Sequence, residues 1–287
     1  MSRLWLALAA LFALAGCDAR TPAVTVQEAA PALWEITGPQ GERGWLFGTI
    51  HALPDGVEWE TPIVRQALGD ADLLVVEVGN LDDPRAAARI FSELSRTPGL
   101  PPLLDRLPAD QRPVLAAALA RSGSDEDDFR GVESWAAALM LANGERTGDV
   151  ANGVDRALLA RGLPIVELEG FARQFSLFDN LAVQDQVDLL YLASTESDAG
   201  MEQRLTQAWI KGDLATLERE AEHGILADAE LRQALLIDRN KAWMERIVPL
   251  LQQNRRPFVA VGAGHMLGDV GLPAVLAAEG YTVRRIQ

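Results

Sequence analysis

The chain holds three histidines in 287 residues, His51, His223 and His265, and two of them close the same four-residue pattern. Gly48-Thr49-Ile50-His51 and Gly262-Ala263-Gly264-His265 both read Gly-x-x-His. With 24 glycines in the chain, a glycine three places before a given histidine arises by chance about one time in twelve, and two such hits among three about one time in fifty. Each motif follows an apolar run, which places both imidazoles just past strand carboxyl ends, where open α/β sheets form their ligand crevice. Backbone without Cβ turns sharply and admits close approach of a ligand, which gives the motif glycines Gly48 and Gly262 a physical reason. A third group joins them, because Leu73-Leu74-Val75-Val76-Glu77-Val78 sets a carboxylate inside an otherwise apolar strand. Burying a carboxylate without a partner costs several kcal/mol, so Glu77 requires compensation. Two neutral imidazoles and one carboxylate on neighbouring strand ends are the ligand set of many catalytic metal sites, which makes His51, Glu77 and His265 candidate metal ligands. The alternative for Glu77 is satisfaction by a buried arginine or by backbone amides.

The elements that must carry these residues are legible as short apolar runs separated by helical blocks. Leu33 to Thr37 and Gly44 to Ile50 flank a Gly/Pro turn and predict a hairpin. Leu73 to Val78, Pro164 to Leu168, Pro257 to Val261 and Tyr281 to Ile286 read as further strands buried on both faces. Asp83-Pro84 supplies an N-cap and an N1 proline for a helix to about Arg96; Ser134 caps another through Met140, and Asp228 opens a long one towards Gln252. Strands alternating with helices predict an α/β fold, and the hairpin predicts a mixed central sheet. The helical stretches 84–160 and 171–252 are expected to flank and cap it.

Composition narrows the function. A hydrophobic share of 48% and a charged share of 23% describe a globular chain, and a net charge of −15 repels phosphate backbones, so nucleic acid is not an expected partner. The single cysteine excludes an intramolecular disulfide and a Cys-rich zinc site. Its placement is informative: Arg3, the apolar run Leu4 to Ala15 and Gly16 form a signal peptide over 1–16, and Leu14-Ala15-Gly16-Cys17 matches a bacterial lipobox. Cys17 is then the lipidation site, residues 17–31 a lipidated tether, and 32–287 one folded domain held at the cell envelope facing the periplasm, Asp18 favouring the inner membrane. No Gly-x-Ser-x-Gly elbow, P-loop or dinucleotide fingerprint occurs, which removes serine-esterase, NTPase and dinucleotide readings. The acidic run Asp125 to Asp128 lacks the spacing of a calcium loop and reads as solvated surface.

The paired motifs, the first as Leu46-Phe47-Gly48-Thr49-Ile50-His51 and the second continuing to Met266-Leu267-Gly268-Asp269, resemble the TraB/PrgY/GumN family, whose animal relatives are the Tiki proteases. The resemblance continues through Glu77, Gly153-Val154-Asp155, Leu168-Glu169, Gln174, Arg239-Asn240 and Gly280-Tyr281. It implies an erythromycin-esterase/ChaN-like fold. It also implies a peptidase dependent on a divalent metal, Mn²⁺ or Co²⁺, held by His51, Glu77 and His265; the same set suits Zn²⁺. In that reading Glu169 or Asp155 handles the proton and Arg239 steadies an oxyanion or substrate carboxylate. Each has a plainer reading: Asp155 as a helix cap, Glu169 with Glu167 as a polar strand face, Arg239 as a surface arginine. His223, before Gly224, suits a helix end. Against the metal-dependent hydrolase stand a non-enzymatic peptide- or haem-binding envelope lipoprotein and metal-free hydrolysis with a histidine base.

Overall fold

The computed structural model describes residues 27–81, 83–144, 149–195, 199–222 and 224–287. The expected signal peptide, Cys17, Asp18 and His223 lie outside these residues. Six strands, β1 (Leu33–Thr37), β2 (Arg43–Thr49), β3 (Leu73–Val76), β4 (Ile165–Glu167), β5 (Pro257–Gly262) and β6 (Thr282–Arg285), form one sheet in the order β4-β3-β5-β2-β1-β6. The four from β4 to β2 run parallel, while β1 is antiparallel to both β2 and β6, so the α/β sheet is mixed. The hairpin forms as read, with Leu33 opposite Phe47 and Thr37 opposite Arg43.

Strict alternation along the central strands builds two cores. Trp45, Phe47, Leu74, Val76, Phe258 and Ala260 face one side, and Leu46, Leu73, Val75, Val259 and Val261 the other, as the period of two demands. Burial on both faces holds for β2, β3 and β5 but fails for β4 and β6, where Ile165, Glu167, Thr282 and Arg284 are exposed. Those two strands are the edges of the sheet, and an apolar run alone does not say which strand will be an edge. The fold also begins earlier than Leu33. Gln27–Glu28 pairs in parallel with Val57–Glu58, Ala29 is buried, and the Ala30 N–H donates to the Ile210 carbonyl at 2.7 Å, so the last residues of the expected tether are packed.

The intervening helices assemble a third core of their own around Trp135, Leu115, Leu141, Leu190 and Leu231, which caps one end of the sheet. Asp83 caps the helix Pro84–Leu94 by accepting the Ala86 N–H at 2.9 Å, and the helix opened at Ser134 extends to Gly144. The long helix after Asp228 differs from expectation in one respect. Between Ala229–Arg232 and Asp238–Gln252 it makes a π-helical turn at Gln233–Ile237. The wider turn shifts the helical phase of every residue from Asp238 onward, and such turns concentrate at functional sites.

Candidate functional site

All four parallel strands end at the same side of the sheet, and each delivers one candidate residue there. His51 lies two residues past β2, Glu77 one past β3, Glu169 two past β4, and His265 within the short 3₁₀ turn Ala263–Met266 that succeeds β5. This is the crevice at strand carboxyl ends. His51, Glu77 and His265 line one cleft of about 590 Å³, together with Thr49, Gln174, Arg239 and Gly262.

Glu77 is satisfied by both devices that the sequence left open beside a metal. Its Oε1 accepts the Gly262 N–H at 2.7 Å, and its Oε2 accepts from Arg239 Nη2 at 2.5 Å and from Gln174 Nε2 at 3.1 Å. Arg239 is not on the surface, its side chain being 11% exposed. Its Nε and Nη2 form a bidentate pair with Glu169 at 2.9 and 2.8 Å, and Nη1 donates to the Leu235 carbonyl at 3.2 Å and to His265 Nε2 at 3.1 Å. With the Glu77 bond, all five N–H groups of the guanidinium are engaged. Glu169, 2% exposed, also accepts the Trp243 indole N–H at 3.0 Å, so in this arrangement its carboxylate holds Arg239. Two carboxylates face one guanidinium, and the Gly262, Gln174 and Trp243 donors stabilise the excess negative charge. Burial opposes the charge of Arg239, yet the bonds to Glu169 and the field of Glu77 outweigh it and leave the pKa above the ordinary value. Burial likewise raises the Glu77 carboxyl, but the fields of the neighbouring His265, in its protonated form, and of Arg239, with the Gly262 N–H, overturn that and hold it below the ordinary carboxylate value.

The two motif histidines occupy opposite environments. Buried His265 bonds through Nδ1 to Asn240 Oδ1 at 2.7 Å, and Asn240 donates its own amide to the Val270 carbonyl at 2.8 Å. Asn240 therefore presents an acceptor, His265 carries its proton on Nδ1, and Nε2 accepts from Arg239. Burial pushes its pKa down to about 3, with the Arg239 charge acting in the same direction and Glu77 against it. Trp243 packs on the ring at 4.3 Å between centroids. His51, by contrast, has a side chain 59% exposed. Its Nδ1 lies 2.8 Å from Asp155 Oδ2, and Asp155 Oδ1 accepts the Thr49 hydroxyl at 2.6 Å. Asp155 does stand in the first turn of a helix, Val154–Leu159, with Gly153 in the cap position, and there it orients an imidazole.

The motif glycines serve the protein's own close contacts. A Cβ on Gly48 would lie 2.9 Å from the Ala263 Cα of the other motif, and one on Gly262 would lie 3.2 Å from Glu77 Oε1. The Trp209 indole N–H further secures the first motif by donating to the Gly48 carbonyl at 2.8 Å. Thr49, Trp209 and Trp243 were not singled out from the sequence; Thr49 alone had a signal, its place inside a Gly-x-x-His motif.

As arranged, these side chains do not fit a divalent ion shared by His51, Glu77 and His265. The guanidinium of Arg239 already lies on the Glu77 oxygen and the His265 lone pair that would face the ion. Among the described residues no three His, Cys, Asp or Glu side chains gather closely enough to hold a metal.

Residues 32–285 match the model of the TraB/PrgY/gumN family. The chain belongs to this family. Over 58 residues it is 43% identical to the Danio rerio protein named Metalloprotease TIKI2, a match that covers 20% of this chain and 11% of that protein. No solved structure matches the chain.

Arg239→Met leaves two buried carboxylates without their cation and is expected to cost about 3–5 kcal/mol at pH 7, read from urea unfolding. Exchanging Glu77 and Glu169 for Gln in the same variant should recover part of that loss. A loss below about 1 kcal/mol, the range of a solvated surface pair, would show that Arg239 is not the compensating charge.

Proposed function

We propose that this TraB/PrgY/gumN family member is a hydrolase that cleaves a peptide bond in the cleft at the strand ends, with His51 as the base that activates the attacking water. The observation that carries this reading is the Thr49–Asp155–His51 chain. A carboxylate fixed by a hydroxyl accepts from Nδ1 and leaves the lone pair of an exposed imidazole on Nε2, the arrangement by which a base is oriented and its charged form stabilised. Once His51 has taken the proton, Asp155 stabilises the imidazolium, which returns the proton to the leaving amine as the C–N bond breaks. Arg239 cannot bind an oxyanion directly while its five N–H groups are engaged, so it acts on the substrate carbonyl through its field and by holding Glu77 and His265 in place. The choice of a peptide draws on the short likeness to a protein named a metalloprotease.

Metal-assisted hydrolysis is the second reading, favoured by the convergence of His51, Glu77 and His265 on one cleft. In that reading His51, Glu77 and His265 would hold Mn²⁺, Co²⁺ or Zn²⁺, which would supply an activated water, and the Arg239 contacts to Glu77 and His265 would have to be given up.

A mixed peptide library incubated with the protein tests both. Cleavage is expected, lowered by about 10²-fold or more in His51→Ala and in Asp155→Asn, and retained after exhaustive chelation. Activity that vanishes on chelation and returns with Mn²⁺ would replace the first reading by the second. No cleavage with any of the three metals would contradict the hydrolase and leave a non-enzymatic peptide- or haem-binding protein.

The Leu14-Ala15-Gly16-Cys17 segment supports lipid anchoring at the cell envelope, with the domain facing the periplasm. Among the described residues no helix is long and apolar enough to cross a membrane. Cys17→Ser is expected to move the protein from the membrane to the soluble fraction, and its persistence in membranes would contradict the anchor.

A further inference from the structure

A second cavity, of about 570 Å³, adjoins the cleft, and His51, Gln174 and Arg239 line both spaces. Apart from these three and Asn143, its walls are apolar, built chiefly by Phe91, Leu139, Met140, Phe175, Phe178 and Leu235. They come from the helices Pro84–Leu94, Ser134–Gly144 and Gly170–Asp179 and from the π turn Gln233–Ile237. The rings brace one another: Phe91 meets Phe175 edge-on at 5.3 Å and Trp135 at 5.5 Å, and Trp135 stacks on Phe178 at 6.2 Å. Mutual packing of this kind fixes ring orientation, so the wall is formed before anything enters. Met140 remains 42% exposed although it lines the space. Open apolar cavities of roughly 300–1,000 Å³ with a few convergent polar groups are the usual form of a ligand site.

The chemistry of the lining restricts the occupant. Among the described residues no carboxylate lines the cavity, so a lysine or arginine side chain would enter without a counter-charge. Arg239 has every N–H committed to Glu77, Glu169, Leu235 or His265, so an acidic side chain finds no free donor on it. The apolar and aromatic walls suit an apolar group, attached to a polar main chain that stays near His51, Asn143, Gln174 and Arg239.

We propose that this cavity is the specificity subsite, which takes an apolar or aromatic side chain of a peptide whose scissile carbonyl lies at His51. For cleavage this rests on the hydrolase reading; for binding it does not. Ala87 lines the cavity and is partly exposed, so Ala87→Trp should fill it from the rim, while Phe178→Ala should widen it. In the peptide library, wild-type products are expected to share Phe, Leu or Met at one fixed position relative to the cut. Ala87→Trp should lower kcat/KM for those peptides at least about 10-fold relative to the same peptides with Ala there, within the roughly 10–200-fold that one methylene commands in an apolar pocket. Phe178→Ala should move the preference towards Trp. The dye 1-anilinonaphthalene-8-sulfonate provides a readout independent of turnover: wild type should bind it, Ala87→Trp should bind it more weakly, and a Phe-containing peptide amide should displace it. Cleavage with no apolar preference, or a preference unchanged in both variants, would overturn the subsite and leave the hydrolase intact. Dye binding and displacement as described without cleavage of any peptide would sink the hydrolase and retain the subsite. Displacement by a fatty acid or haem but not by peptides would overturn the peptide assignment.

Discussion

A carboxylate one residue past the end of a central strand, Glu77, cannot be left without a partner in an apolar sheet, and the rest of the site is arranged around that constraint. Its compensating charge arrives from Arg239, 162 residues away in sequence, and Arg239 in turn is held by Glu169. The three charges tie β3, the turn after β4 and the long C-terminal helix into one cluster, and the Gly262 N–H adds β5. A network of this kind is weak evidence for stability, since apolar replacement of a whole buried pair is often neutral. Its consequence here is geometric. With Arg239 fixed, His265 Nε2 is an acceptor, and the Asn240 contact fixes the other nitrogen as the donor.

Identical motifs thus end in different chemistry. The histidine after β5 is sealed under Trp243 and kept neutral, whereas the one after β2 stands at the cleft surface with a carboxylate behind it. The first suits a fixed part of the frame and the second a group that exchanges protons with a substrate. Between the two strands the glycines let the motifs touch, with Gly48 against the backbone of Ala263. The cap helices add what the sheet cannot, an apolar wall beside His51, Gln174 and Arg239, so the separate core of helices also lines the candidate site.

Much of this was legible in the sequence because it depends on short-range rules. The hairpin, the parallel strands and the placement of both histidines and Glu77 at one sheet edge come from apolar runs and the strand-end rule. That Glu77 needed a partner was legible too, but the choice among metal, amide and arginine was not, because it depends on how a distant helix is phased. The π turn at Gln233–Ile237 leaves no mark in a periodicity count, and with a regular pattern Arg239 reads as one more polar residue on a helix surface. The exposure of β4 and β6 was equally hidden, since strand order is a long-range property. The aromatic cavity draws Phe91, Met140 and Phe175 from three helices, and no local spacing announces such a meeting.

Burial, with the Arg239 cation at Nε2 acting in the same direction, holds His265 neutral, and ¹⁵N NMR of the imidazoles reads this directly in a chain with three histidines. His265 should keep its proton on Nδ1 and stay neutral as pH is lowered from 8 through the ordinary histidine range near 6.5, consistent with a pKa of about 3, and one equivalent of Zn²⁺ should leave its Nε2 signal in place. Because the folded value lies below the unfolded one, the same group contributes stability above pH about 6.5 that is lost as pH falls towards 3. A His265 that gains a second proton near pH 6.5, or an Nε2 signal displaced by the metal in the wild-type protein, would contradict a buried His265 whose Nε2 is taken by Arg239.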